Sequence, residues 1–368
     1  YMEFDQALLQ EWLANGVPIR HLDFSGAVFE QWDFSGVVFD QVDFSGARFI
    51  DVHFSQSVFN DCNFNGAEFH SCHANMALFN ECQFQSVHMY DCFLPNVKWQ
   101  ASILDGSVVQ QGYLREAAFL NSSLQKVSLT GLELSETLFA NTTFKETQLS
   151  QCQLYKSVLY DLDCRELTLN CCQLKHIVWA KSNLSGSHFE ELDLSLCVFT
   201  ECDLSFASFR KSQLAQASFK GANLSHANFD GVQAPYGIFV EAHGTELSAR
   251  SAQFRQAVFV EASFEKANFE HSDLAMSVWQ KAGAVNSCFD HCDLEHADFS
   301  FSNLSGSTFA EAKLQQTRFH RALSDQPDLK KRAGALEKDE ALFEAELWSE
   351  QHRQPSRISP NISALKRS

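Results

Sequence analysis

The sequence predicts a repeat fold, a chain wound at one short fixed period, and two columns of residues predict it. Positions 24, 29, 34 and onward to 319 number 60, and 54 of them are bulky and apolar: 29 Phe, 20 Leu, three Trp, one Met and one Val. Two residues before each lies a second column, Leu22 to Thr317, in which 52 of 60 members are Ala, Ser, Thr, Cys, Val or Gly. Neither column slips. A period of five matches neither the 3.6 of a helix nor the 2 of a strand, so amphipathic helices and hairpin sheets are both excluded. The chain hides a small and a large residue in every five.

Composition narrows the function classes. With 45% hydrophobic and 20% charged residues the chain buries a core. The formal charge of −18 excludes a nonspecific grip on phosphate backbone, so no direct nucleic-acid binding is expected. No apolar run reaches the ~18 residues needed to span a bilayer. Glu3 and Asp5 stand where a signal peptide carries basic residues, which makes the expected compartment cytoplasmic. Tyr1 ahead of Met2 leaves room for a preceding segment.

Ala222-Asn223-Leu224-Ser225-His226, Ala267-Asn268-Phe269-Glu270-His271 and Ala297-Asp298-Phe299-Ser300-Phe301 show the unit at its clearest. It resembles the pentapeptide-repeat family, with its Ala-(Asp/Asn)-Leu-X-X consensus, over about four fifths of the chain. The resemblance implies an all-β solenoid, a right-handed quadrilateral β-helix with four pentapeptides per coil. Sixty pentapeptides then give about 15 coils, and stacking at the ~4.8 Å strand spacing gives a rod about 70 Å long. The large side chain fills the centre and the small one sits where the wall is tightest. Such a rod is held mainly between neighbouring coils, so its two ends need covers.

The segments follow in order. Residues 1–21 hold a capping helix, with Phe4, Leu8, Leu9 and Trp12 at helical spacing and Asn15-Gly16 as the stop. Residues 22–323 are the rod. Bulky centres are missing at Ala74, Cys164, Ala234, Gly244, Ala249 and Ala284; three of these fall between 234 and 249, the expected weak stretch, read either as compensated repacking or as a bulge or groove. Residues 324–368 hold a second helix from Asp328 to about His352, kinked at Gly334, and a flexible tail from Ser356. Leu336, Leu342, Phe343, Leu347 and Trp348 give that helix an apolar stripe to bury on the rod's end or on a second copy.

Nine of the 12 Cys occupy the small column, where they act as small hydrophobes and are expected to stay free thiols. His271 and His291 lie one coil apart, with Glu311 next in the column and Cys288 close by, which is the spacing of a surface metal pair. The same arithmetic pairs His53 with His73, as chance in a periodic lattice would, so no metal and no cofactor are expected. There is no His-Glu-x-x-His, Gly-x-Gly-x-x-Gly, phosphate-binding Gly-Lys-Ser/Thr or Gly-x-Ser-x-Gly. A centre packed with Phe and Leu leaves no substrate cavity, so the expectation is a protein that is not an enzyme.

That leaves the surface. The whole net charge belongs to residues 1–323, with 38 acidic and 20 basic residues. In one column recurring every 20 residues stand Asp61, Glu81, Asp161, Glu201, Glu241 and Glu261, interrupted by Lys181, Lys281 and Arg321; such carboxylates also serve solubility. Outward hydrophobes, among them Tyr155, Tyr160, Phe206, Tyr236 and Phe301, are candidate contacts. The main reading is a non-enzymatic protein-binding scaffold or adaptor rod, a module of a bacterial secretion-associated protein or effector, with a possible homodimer through the C-terminal helix. The alternative comes from the gyrase-protecting, quinolone-resistance members of the similar family, acidic rods that imitate DNA. By that resemblance the chain is a DNA mimic that binds gyrase, topoisomerase or another DNA-binding protein. It differs from them in its longer rod, its broken carboxylate column and its lack of loop insertions.

Overall fold

A computed structural model describes residues 5–332 and 334–353. Parallel ladders join residue i to residue i + 20 from Ile19↔Phe39 to Asn303↔Leu323, so one coil is 20 residues, four pentapeptides. The solenoid has about 13 turns, slightly fewer than the 15 expected. Corners come from the backbone. Fifty non-glycine residues and ten glycines, at every fifth position from His21 to Arg321, take positive φ, with Glu166 the exception. The left-handed conformation costs an L-residue about 1–2 kcal/mol, and here it is held by the ladder bonds on either side of each corner.

Two opposite walls carry short strands. One is a ten-stranded sheet from Ile19–Arg20 to Val198–Thr200 and the other an eight-stranded sheet from Val28–Glu30 to Leu167–Asn170. Beyond residue 200 the ladders shorten to single bridges, apart from a three-stranded sheet of His243–Thr245, Ser263–Glu265 and Gly283–Val285. Inside, rings stack coil on coil: Phe39 on Phe59 at 4.8 Å, Phe59 on Phe79 at 4.9 Å, Trp99 on Phe119 at 4.8 Å and Phe119 on Phe139 at 5.0 Å. Rings from adjacent walls meet edge to face, as Phe34 and Phe39 do at 5.3 Å, the arrangement the ring quadrupole favours.

The small column does more than yield space. Its hydroxyls and thiols donate to the carbonyl 23 residues earlier: Ser107 Oγ to Phe84 at 2.7 Å, Thr147 Oγ1 to Leu124 at 2.7 Å, Cys152 Sγ to Leu129 at 3.4 Å. Ser, Thr and Cys are therefore small residues that also occupy a buried acceptor. All 12 Cys are free thiols.

Helix α1, Gln6–Ala14, is capped by the Asp5 carboxylate accepting from the Leu8 N–H. It covers the first coil with buried Leu9 and with Trp12 and Leu13; Phe4 lies outside the described residues. At the other end the expected continuous helix from Asp328 is replaced by a 3₁₀ turn, Leu329–Lys331, a short extended stretch at Leu336 that bridges Arg318, and only then α2, Glu340–Gln351. The reason is local. The last coil still offers open carbonyls, and the Arg332 guanidinium takes those of Phe309 and, at 2.8 Å, Ala312, while Leu336 adds one more ladder rung. The expected flexible tail from Ser356 lies outside the described residues. No helix among the described residues is long and apolar enough to cross a membrane.

The stretch 234–249 is not a bulge. Its ladders are intact on both sides, including Gln233↔Gln253 and Ile238↔Val258, and Ala234, Leu247 and Ala249 are buried. Gly244 lies so close to the coil below that a Cβ there would sit 3.1 Å from the Leu224 carbonyl oxygen. Gly244 and Ala284 flank Phe264 in the same sheet, so two small centres alternate with a large one and the wall draws in. Compensated repacking is what occurs.

Candidate functional site

The rod opens elsewhere, at the coil of residues 161–175. Here the size order of the repeat is inverted: Leu162 and Leu167 stand in the small column and Cys164 in the bulky one. A leucine on each side of a corner does not fit where the wall is tightest, and the thiol between them underfills the centre. Glu166, the corner residue between them, is the one that lacks positive φ.

The backbone records the misfit as missing bonds. One coil further on every ladder bond is made, from the Gly186 N–H to Ser205 at 2.8 Å to the Leu194 N–H to Gln213 at 2.8 Å. Among the described residues, the corresponding N–H groups of Glu166, Leu169, Cys171 and Leu174, and those of His188 and Asp193 facing them, have no carbonyl across the wall. The eight-stranded sheet accordingly ends at Leu167–Asn170. One face earlier the same coil has lifted from the coil below: the N–H groups of Asn141, Phe144, Glu146 and Asp163 lack their rungs. The coil is tilted, still tied below through Leu167–Asn170 on Thr147–Ser150 and above through the His176 N–H to Ser195 at 3.1 Å.

Two slots result. The upper, about 290 Å³, is lined by Cys164, Arg165, Leu167, Leu169, His188 and Leu192 among others. The lower, about 330 Å³, lies between Asn141–Lys145 and Asp161, Asp163 and Glu166. Leu167, Leu169, Cys172, Ser187 and Leu192, which point inward by their place in the repeat, are only half-buried. The upper slot has an apolar floor between two unpaired backbone edges.

Its rim is acidic. Arg165 is folded onto Asp163 through two hydrogen bonds, at 2.9 and 2.7 Å, and holds that carboxyl below its ordinary value. The His188 imidazole meets Glu190 at 3.0 Å. A hydrogen bond from the Ser195 hydroxyl, at 2.6 Å, lowers Asp193 likewise. The Cys172 thiol lies below the ordinary range, because the Cys152 thiol one coil down is hydrogen-bonded to it.

Of the candidates read from the sequence, Asp161 lines the lower slot, while Tyr155 and Tyr160 stand on the coil below and line neither slot. Tyr155 meets the His176 ring edge to face at 5.1 Å, and Lys181 lies 5.9 Å from the Tyr160 ring. The carboxylates Asp61, Glu81, Asp161, Glu201, Glu241 and Glu261 all lie exposed on one edge of the rod, each at a left-handed corner. They share an edge over some 200 residues, not a site. Phe206, stacked on His226 at 4.7 Å, Tyr236, and Phe301 against His320 at 5.5 Å are separate exposed points on the upper rod. Leu336, Phe343, Leu347 and Trp348 belong to the C-terminal cap. Trp348 is 64% exposed, and α2 is tied down by polar contacts, with Glu346 bonding His320 at 3.1 Å and Arg321 at 2.7 Å. Sequence reasoning missed Leu167, Leu169 and Leu192, although two leucines in the small column around a cysteine centre were there to be read.

Comparison with known proteins agrees with the fold. The family model described as Pentapeptide repeat region matches residues 32–108, and that described as Pentapeptide repeats (8 copies) matches residues 122–161, 169–233 in overlapping runs, 246–275 and 287–323. The gap at 162–168 falls on the tilted coil. No curated protein matches the chain. Among solved structures, HetL, a pentapeptide repeat protein involved in heterocyst differentiation regulation in the cyanobacterium Nostoc sp. strain PCC 7120, is 18% identical over 66% of this chain and 91% of its own, with a TM-score of 0.31. Rfr23 from the cyanobacterium Cyanothece 51142 is 16% identical over 38% of this chain and 89% of its own, at 0.19. QnrB1, a plasmid-mediated fluoroquinolone resistance protein, is 15% identical over 62% and 98%, at 0.17. Likenesses this low carry nothing about a partner. The family matches do carry the identity: spread over most of the length from residue 32 to residue 323, they place the chain in the pentapeptide-repeat family, the right-handed quadrilateral β-helices.

Proposed function

We propose that the chain is a non-enzymatic protein-binding scaffold, an adaptor rod whose opened wall at residues 161–193 accepts an extended segment of a partner protein. One observation supports this reading above others: unpaired ladder N–H and C=O groups face each other across a floor of half-buried leucines. An added strand supplies main-chain bonds to the first and side chains to the second. A module of a bacterial secretion-associated protein or effector is a setting that suits such a rod. The test is capture of partners from a bacterial lysate, washed at low and then high salt, by the parent and by a variant with the wall closed (Leu162→Ala, Cys164→Leu, Leu167→Ala). A partner that survives high salt on the parent and is lost from the closed variant supports the proposal. Equal retention by both refutes it.

The carboxylate edge favours a second reading, an acidic DNA mimic that occupies a DNA-binding protein such as gyrase or topoisomerase. Its partner competes with duplex DNA, is released steeply by salt, and is indifferent to closing the wall.

A further inference from the structure

We propose that Glu270, His271 and His291 form a binding site for one divalent transition-metal ion of the Zn2+ type, a staple between two adjacent coils. The three offer ligand atoms that all lie within 4.8 Å of one another, the only such group among the described residues. His271 and His291 are successive residues of one corner column, their rings stacked at 4.6 Å and 13°. Both take left-handed φ, 61° and 58°, and the His271 N–H donates to the Asp290 carbonyl at 3.0 Å. The ladder therefore fixes the two Cα positions, while the exposed imidazoles turn freely about their side-chain bonds. Glu270 brings its carboxylate to 3.7 Å from His271 Nε2. Small rotations bring two nitrogens and one oxygen to the 2.0–2.2 Å that Zn2+ takes, leaving a fourth position for water. Two imidazoles and one carboxylate suit Zn2+, Ni2+ or Cu2+ and do not suit Mg2+ or Ca2+. Glu270 gives up only an exposed ion pair with Arg250 at 3.7 Å, which is worth little.

The rod contains its own control. His53 and His73 stack in the same way, at 5.1 Å and 12°, yet no carboxylate makes them a three-ligand group. The two pairs differ in the neighbouring carboxylate and in place, since His53 and His73 bridge on a wall and not at left-handed corners, so metal affinity should separate them too.

The experiment is calorimetric titration of ZnCl2 into the full chain carrying Cys171→Ser, which removes the exposed thiol as a competitor. One equivalent should bind and raise the melting temperature, as a ligand of the folded state must. His271→Asn and His291→Asn, chosen because Asn tolerates a left-handed corner, should each weaken binding by about tenfold or more and abolish the thermal shift. His53→Asn should change neither. Absence of binding in the parent overturns the proposal. So does binding that all variants keep, or that is lost on Cys288→Ser while both histidine variants retain it.

Discussion

Restoring the size order of the tilted coil should close it. In the variant Leu162→Ala, Cys164→Leu, Leu167→Ala the small and bulky columns regain their pattern, and ten ladder N–H groups, six on the upper slot and four on the lower, recover carbonyl partners. Water serves those groups in the open state, so each is worth the low end of a net hydrogen bond, about 0.5 kcal/mol, or about 5 kcal/mol together. Against this, truncating buried Leu162 costs about 2 kcal/mol and half-buried Leu167 about 1 kcal/mol, while the larger side chain of Cys164→Leu returns about 1 kcal/mol. The net is a gain of about 3 kcal/mol, or about a hundredfold in local protection. Amide hydrogen exchange read by mass spectrometry reports it directly. In the parent, peptides covering 166–174 and 185–193 should exchange much faster than those covering 204–213; in the variant the difference should vanish. Alkylation gives a second reading, with half-buried Cys172 labelled quickly in the parent and slowly once the wall is closed. If the parent already exchanges uniformly, the opening does not exist in solution. If the variant exchanges as fast as the parent, the inverted side chains are not its cause.

The regular coils should behave otherwise. Phe199, fully buried and stacked on Trp179 at 5.1 Å and Phe219 at 5.0 Å, should cost about 3–5 kcal/mol as Phe199→Ala, against about 1 kcal/mol for half-buried Leu169→Ala, both by urea unfolding; equal losses would show that the two sites are equally packed. Removing residues 340–368 should leave the rod folded, because Arg332 and Leu336 still cap it, and should convert any dimer to a monomer by light scattering; an unchanged mass rules α2 out as the interface. Hydrogen bonds hold the carboxyls of Asp23, Asp33, Asp163 and Asp193 below their ordinary 3.8, chiefly from the side chains of Ser25, Ser35, Arg165 and Ser195. A lowered native value adds stability that is present above the unfolded value and lost as pH falls through the native one. The melting temperature should therefore stay level from neutral pH to about pH 4 and decline below it; a decline beginning near pH 6 would implicate histidines instead.

The fold is legible in the sequence because the period is global. Each of sixty repeats votes for the same inward columns, so exceptions such as Ala74 leave the register untouched. Packing around an exception is different, since it depends on which centres meet across coils. Gly244, Phe264 and Ala284 look like a defect along the chain and like alternation along the sheet, which is why the sequence alone points to 234–249 as the weak stretch. Cys164 reads along the chain as one absent centre among six, when its meaning lies with Leu162 and Leu167, two residues before and three after. The expected C-terminal helix is too long for a related reason: composition favours helix from 328, but the open carbonyls of the last coil claim Arg332 and Leu336 first.

A loose coil in the middle of a rod differs in kind from one at an end. Coils of a solenoid are stabilised mainly by their nearest neighbours, so a frayed end loses one interface while a loose interior coil weakens two. Here the weak faces are adjacent and opposite in sense, 161–165 open to the coil below and 166–170 with 171–175 open to the coil above, while 176–180 keeps its rungs on both sides. The rod therefore stays continuous while offering backbone that no regular coil exposes. A closed solenoid hides its main-chain groups everywhere except at its capped ends. On the proposed reading, the side-chain inversion at 162–167 makes one interior position able to pair with another chain through its main-chain groups. It does so without an inserted loop and without a change in the twenty-residue register, so the coils above and below remain in phase with each other.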